Sequence, residues 1–364
     1  MTMPLSSHKG NVEQQRCPHR YETLTITSKN IKRRQTMRQT LIILMLILSC
    51  YQANARGKYD NTDTLIVARD GSGAFRTISE AVEVCRAFME YKKVIYVKNG
   101  IYKEKLIIPS WLTNIEIIGQ DRDKTIITYD DHANITYPPT GKPMGTFRTY
   151  TLKIEGCNIT LRNLTIENNA PRLGQAVALH TEGTRLAFVN CRFLGCQDTV
   201  YTGMPYTLLY FLNCYIEGTT DFIFGPSTAW FENCEIYSKI NSYVTAASTP
   251  KDCKYGYIFN NSTLTAADSV TNVKLGRPWR AYAYTLFMNC ELGKHIAPAG
   301  WKNWVDYHDP AKEGTVRYME YNNHGAGADT KERVKWSRQL TKAEASKITL
   351  KEVFNGDVSW IPTK

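Results

Sequence analysis

Hydrophobic and polar positions over most of this chain alternate in short runs and do not recur every three or four residues. The runs are rich in Ile, Val, Phe, Tyr and Thr and are split by Gly, Asn and Asp. That is a strand-and-turn pattern, not a helical one. One run repeats. It reads Phe-Val-Asn-Cys-Arg-Phe at 188–193, Phe-Leu-Asn-Cys-Tyr-Ile at 211–216, Phe-Glu-Asn-Cys-Glu-Ile at 231–236 and Phe-Met-Asn-Cys-Glu-Leu at 287–292. Phe-Asn-Asn-Ser-Thr-Leu at 259–264 is a copy without the cysteine, and Leu-Arg-Asn-Leu-Thr-Ile at 161–166 fits more loosely. Intervals of roughly 20–30 residues mark a solenoid. The regular leucine spacing of a leucine-rich repeat is absent, so the expected fold is all-β, a single-stranded parallel β-helix. Stacking would bury each unit's apolar face on its neighbours.

Open solenoid ends are sheet edges and need covering. Thr77 and Glu80 form a candidate capping box that opens a helix expected to run to about Glu90. Leu340 to Phe354 reads as a second helix or helix-like segment. Both are expected to be short terminal caps.

Residues 1–55 stand apart from this pattern. Leu41 to Ser49 is an apolar run after Arg38, followed by Ala53-Asn54-Ala55. This reads as a secretory signal with a small-x-small cleavage site, too short for a membrane span. A translation start at Met37 gives a signal of ordinary length, and a long leader is the alternative. A competing reading makes Cys50 a lipid-modified terminus, although Leu48 suits that motif poorly. The expected location is periplasmic or extracellular, with residues 56–364 as one domain.

The chain has 364 residues and a net charge of +11. The leader holds eight of the 45 basic and two of the 34 acidic residues, which leaves +5 for the remainder. This mild surplus permits attraction to an acidic polymer but does not single out nucleic acid. Eight cysteines follow the leader. Those on the repeat read as an inward stack of small buried side chains in preference to disulfides. No Cys-x-x-Cys or His-Glu-x-x-His spacing occurs, and no metal or other cofactor is expected.

The candidate chemistry lies on the repeat. Asp198 follows Cys191 by seven residues, and Asp221 follows Cys214 by seven. On a β-helix the two carboxylates would occupy neighbouring rungs, about 4.7–4.9 Å apart in the direction of strand pairing. Two such carboxylates cannot both ionise cheaply, so one should keep its proton and serve as an acid. An arginine keeps the other ionised, glutamine amides donate to an oxyanion, and an aromatic ring offers a face to a sugar. Candidates stand in Gln-Ala-Val-Ala-Leu (175–179), Gln-Asp-Thr-Val-Tyr (197–201), Asp-Phe-Ile-Phe-Gly (221–225) and Leu-Gly-Arg-Pro-Trp (275–279). Asp and Gln at turns commonly only cap them. The repeat-equivalent placement of two aspartates is what argues for function.

These motifs, with Gly-Ile-Tyr-Lys-Glu (100–104), Pro-Ala-Gly-Trp (298–301) and Gly-Ala-Gly-Ala (325–328), resemble those of the pectin methylesterases, carbohydrate esterases that demethylate pectin. The likeness runs from about Thr64 to Trp360. It implies a right-handed parallel β-helix with an open cleft, and pectin (homogalacturonan) as the partner of a monomeric enzyme. It implies that Asp221 is the nucleophile and Asp198 the acid and then the base. Gln175 and Gln197 would stabilise the oxyanion, and Arg277 would hold the nucleophile. Tyr201, Phe224 and Trp279 would line the sugar cleft, joined by Tyr243, Trp304 and Thr146. Cys196 stands where many relatives have Tyr, and Val200 where they have Leu. No plant-type inhibitory pro-region is evident, so the expectation is a secreted bacterial type.

Other sites fail. No Gly-x-Ser-x-Gly elbow occurs, which disfavours a serine hydrolase. Asp70-Gly71-Ser72-Gly73 lacks the Gly-Lys-Ser/Thr of a phosphate loop. Asn-x-Thr/Ser triplets such as Asn158-Ile159-Thr160 read as strand and turn composition. The competing functions are a pectin-backbone lyase or galacturonase, a non-catalytic carbohydrate-binding solenoid, and an esterase or thioesterase of the same fold on another acyl group.

Overall fold

The computed structural model describes residues 31–45, 57–304 and 313–362. Residues 31–45 form a helix within a unit spanning Met1–Lys58, and Tyr59–Lys364 forms the second compact unit. Cys50 and Ala53-Asn54-Ala55 lie outside the described residues. No helix among the described residues is long and apolar enough to cross a membrane.

The second unit is a parallel β-helix. The chain visits three sheets in turn, of eleven, eight and seven strands, and every pairing in them is parallel. A full circuit runs through Leu186–Val189 in the first sheet, Arg192–Leu194 in the second and Val200–Thr202 in the third. The next circuit uses Leu208–Leu212, Tyr215–Gly218 and Ile223–Gly225. The repeat falls on the corner between the first and second sheets. Leu161, Phe188 and Phe211 are register partners, and so are Phe231, Phe259 and Phe287. The five phenylalanines stack down the core with centroids 4.3–4.6 Å apart and planes within 20°. Cys191, Cys214, Cys234 and Cys290 are buried free thiols in the same core. Each repeat asparagine takes the left-handed conformation, with φ of 51–55° from Asn163 through Asn289. Asparagine tolerates that conformation better than most residues, which explains why the corner repeats it.

First-sheet strands such as Leu208–Leu212 and Tyr284–Met288 are apolar along almost their whole length. Sheets covered on both faces read this way. Leu209 and Phe211 face the solenoid core, while Tyr210 and Leu212 join a second core with Val353 and Phe354. The C-terminal segment therefore packs against the side of the coil, not over its end as a cap. It also breaks into two short helices, Lys342–Ala345 and Leu350–Val353, because Thr341 and Thr349 each cap a new start.

The N-terminal capping box forms as expected, Thr77 with Glu80, and Ile78, Ala81 and Val82 enter the solenoid core. The helix ends at Glu83, short of Glu90. Phe88 turns left-handed at φ 53° and donates its N–H to the Trp111 carbonyl at 2.8 Å, which lets Met89 bury. Tertiary docking outweighs the helical propensity of this stretch.

Candidate active site

The corner between the second and third sheets carries the chemistry. Gln175, Gln197, Asp198 and Asp221 all lie there, each just ahead of a third-sheet strand. Val200 pairs with Ile223, so Asp198 and Asp221, each two residues earlier, occupy the same place on neighbouring rungs. Asp198 donates its N–H to the Thr220 carbonyl at 3.1 Å, and Asp221 donates to Tyr243 at 2.9 Å. Both aspartates have left-handed backbones, φ 67° and 50°. The Thr199 hydroxyl braces the corner on the carbonyls of Cys196 and Glu217.

Arg277 comes from further along. Thr245 pairs with Gly276, which places Arg277 just past the end of a strand two rungs beyond Asp221. Its side chain reaches back and bonds both carboxylate oxygens, Nε to Oδ1 at 3.0 Å and Nη2 to Oδ2 at 2.5 Å. Such a bidentate fork is strong and directional.

The two carboxyls are nearly buried, Asp198 8 % and Asp221 5 % exposed. Burial pushes Asp198 well above the ordinary carboxylate range, the charge of Asp221 adds to the rise, and Arg277 opposes it. Burial raises Asp221 as well, but the hydrogen bonds and charge of Arg277 pull it back. The pair is thus asymmetric: Asp198 holds a proton more strongly than Asp221, whose rise Arg277 limits.

These groups open into a cleft of about 320 Å³ lined by Thr146, Phe147, Gln175, Gln197, Asp198, Asp221, Phe224, Ala246, Arg277, Trp279 and Trp304. Phe224 packs on Tyr201 with centroids 4.6 Å apart and on Trp279 at 5.9 Å. Tyr201 is half-buried and packs its ring between two residues of this wall, Phe224 and Phe147. Tyr243 stays out of the lining, with its ring against the Arg277 guanidinium. Cys196 is not in the lining, and Val200 is a core residue.

Two lining residues escaped the sequence reading. Ala246 is small and carries no chemistry of its own. Phe147 sits in an insertion between Tyr129 and Leu152 that belongs to no repeat. Asn168 ties this insertion down by donating to the carbonyls of Asp131, Thr149 and Val177, and the Gln175 carbonyl accepts from Ala133. Phe147 thereby reaches Tyr201, centroids 4.8 Å apart.

The fold and site define a parallel β-helix with a carboxylate pair, a bound arginine and an aromatic cleft. The chain belongs to the Pectinesterase family, whose model matches residues 64–357. It is 37 % identical over 309 residues to "Probable pectinesterase/pectinesterase inhibitor 6" of Arabidopsis thaliana, covering 82 % of this chain and 53 % of that protein. It is 33 % identical to "Probable pectinesterase 8" of the same plant, covering 83 % and 77 %. The chain spans about half the length of the first two curated relatives it matches, 53 % and 48 %. Among solved structures, pectin methylesterase from carrot aligns with a TM-score of 0.75 at 32 % identity, covering 82 % of this chain and 97 % of the other. Pectin methylesterase from Erwinia chrysanthemi aligns at 0.71 and 29 %, covering 82 % and 98 %. These curated relatives are plant proteins, so the expected bacterial type finds no support in them.

Proposed function

We propose that the protein hydrolyses the C6 methyl esters of pectin to methanol and free galacturonate carboxylates. The observation that carries this reading is the asymmetric pair, Asp198 pushed far up and Asp221 held bidentately by Arg277. Asp221 attacks the ester carbonyl carbon. The amides of Gln175 and Gln197 donate to the oxygen that becomes negative. The tetrahedral species collapses, the bond to methoxide breaks, and Asp198 gives its proton to the departing methanol. Asp198, now charged, takes a proton from water. That water attacks the acyl-enzyme and frees the galacturonate carboxylate and Asp221. Each proton lost by Asp198 in the first half returns in the second, so no other acid is needed.

The aromatic wall of Phe224 and Trp279 supplies faces for sugar rings, with Tyr201 packed against it. The leader-like N-terminus fits export to where pectin lies, and the enzyme acts as a monomer. The test follows methanol and polymer length in one sample of highly methylated pectin, after prolonged chelation of the protein. Methanol release with unchanged chain length is expected. Shortening of the polymer without methanol would replace this reading with a backbone lyase or hydrolase.

A further inference from the structure

We propose that Trp304 and Tyr243 are positioning residues: their rings clamp the guanidinium of Arg277 from two sides and hold its fork on Asp221, and neither ring carries a sugar on that face. This rests on the reading of Arg277 and Asp221 given above. The Arg277 Cζ lies 3.9 Å from the Trp304 ring centroid and 4.3 Å from that of Tyr243. Both distances are well inside the range of ~6 Å over which a ring attracts a cation. A planar cation packed against two rings has few orientations left to it, and two of its donors, Nε and Nη2, point at Asp221.

Tyr243 acts on both partners of the pair. Its backbone carbonyl accepts the Asp221 N–H, and its ring packs on Arg277. It does not bound the cleft that the carboxylates and Trp279 line. Trp304 does line the cleft, but the ring face next to the guanidinium is already taken. Phe224 differs: it packs on neighbouring aromatics and presents its edge of the wall to the cleft. The charged and titratable groups acting on Arg277 are Asp221, Asp198 and Tyr243. A long arginine side chain loses much rotamer freedom when it is fixed in one geometry. Two rings that pre-order it move that loss into folding and out of the catalytic cycle.

The test uses the full chain with Trp304→Leu, Tyr243→Leu, Trp304→Phe and Tyr243→Phe, each checked for folding by circular dichroism. The first readout is the rate of phenylglyoxal labelling at Arg277, located by peptide mass spectrometry. The second is kcat and KM for methanol release. The leucine variants should label Arg277 ~10-fold faster and lose ~10-fold in kcat, with KM within about twofold of the parent. The phenylalanine variants should recover the slow labelling and most of the lost kcat. Unchanged labelling with a raised KM would overturn the clamp and make both rings sugar platforms. Should a leucine variant fail to fold, the methionine variant at that position replaces it, since methionine adapts to irregular spaces. Labelling needs no substrate, so slow labelling of the parent chain without methanol release would sink the esterase reading and leave the clamp standing.

Discussion

Arg277 holds both carboxylate oxygens of Asp221 across 56 residues of sequence and two rungs of the coil. Asp198, at the matching place one rung earlier, makes no such bidentate contact, and its carboxyl is raised further than that of Asp221. The repeat places two like groups side by side, and one cation makes them unlike.

The two aspartates should therefore fail differently. Asp221→Asn should abolish turnover while pectin binding persists, because the amide cannot attack the ester. Asp198→Asn should keep a residue of activity, slowed by ~10²–10⁴-fold, the usual worth of acid–base assistance. Steady-state methanol release on folded protein checks both. Near-normal turnover in Asp221→Asn would end the mechanism.

Arg277→Lys should also lose most activity. An ammonium cannot reproduce the planar fork that spans both oxygens. With a weaker partner, the buried Asp221 carboxyl rises further, so the acid side of the kcat profile should move to higher pH. A profile fixed in pH, with only KM changed, would show that Arg277 serves substrate binding alone.

Asp198 should make the fold less stable as pH rises. Its native pKa lies above the unfolded value, so the native state binds more protons between the two. That stabilisation is complete below the ordinary carboxylate range and is lost as pH rises through the raised native value. Asp198→Asn, which does not titrate, should melt above the parent at pH 7, and the gap should narrow toward pH 4. Melting temperatures across this range decide it; a gap that does not vary with pH would mean that Asp198 is ionised throughout.

The phenylalanine column should resist truncation badly. Phe231 is fully buried between Phe211 and Phe259, at centroid distances of 4.6 and 4.4 Å. Phe231→Ala removes contacts on two rungs at once and should cost about 3–5 kcal/mol. Urea unfolding measures the loss. A cost below about 1 kcal/mol would mean that the stack relaxes to fill the space.

Much of this protein follows from sequence alone, because a solenoid repeats one local environment. Phe188, Phe211 and Phe231 recur in the chain because each meets the next at a fixed register, and Asn190, Asn213 and Asn233 recur because each corner turns left-handed. The same periodicity set Asp198 beside Asp221, and likeness to a known family singled out the glutamines and Arg277. Contacts without a period were not legible. The insertion that delivers Thr146 and Phe147 to the cleft is placed by the amide of Asn168, a bond made only after the sheets assemble. The helix expected to reach Glu90 ends at Glu83, and in the stretch beyond it Phe88 donates to a carbonyl 23 residues away, on Trp111. The aromatic clamp on Arg277 joins a strand residue, Tyr243, to Trp304, 61 positions later. Local pattern specifies what each rung repeats; only the folded chain decides which distant groups win the competition for its surface.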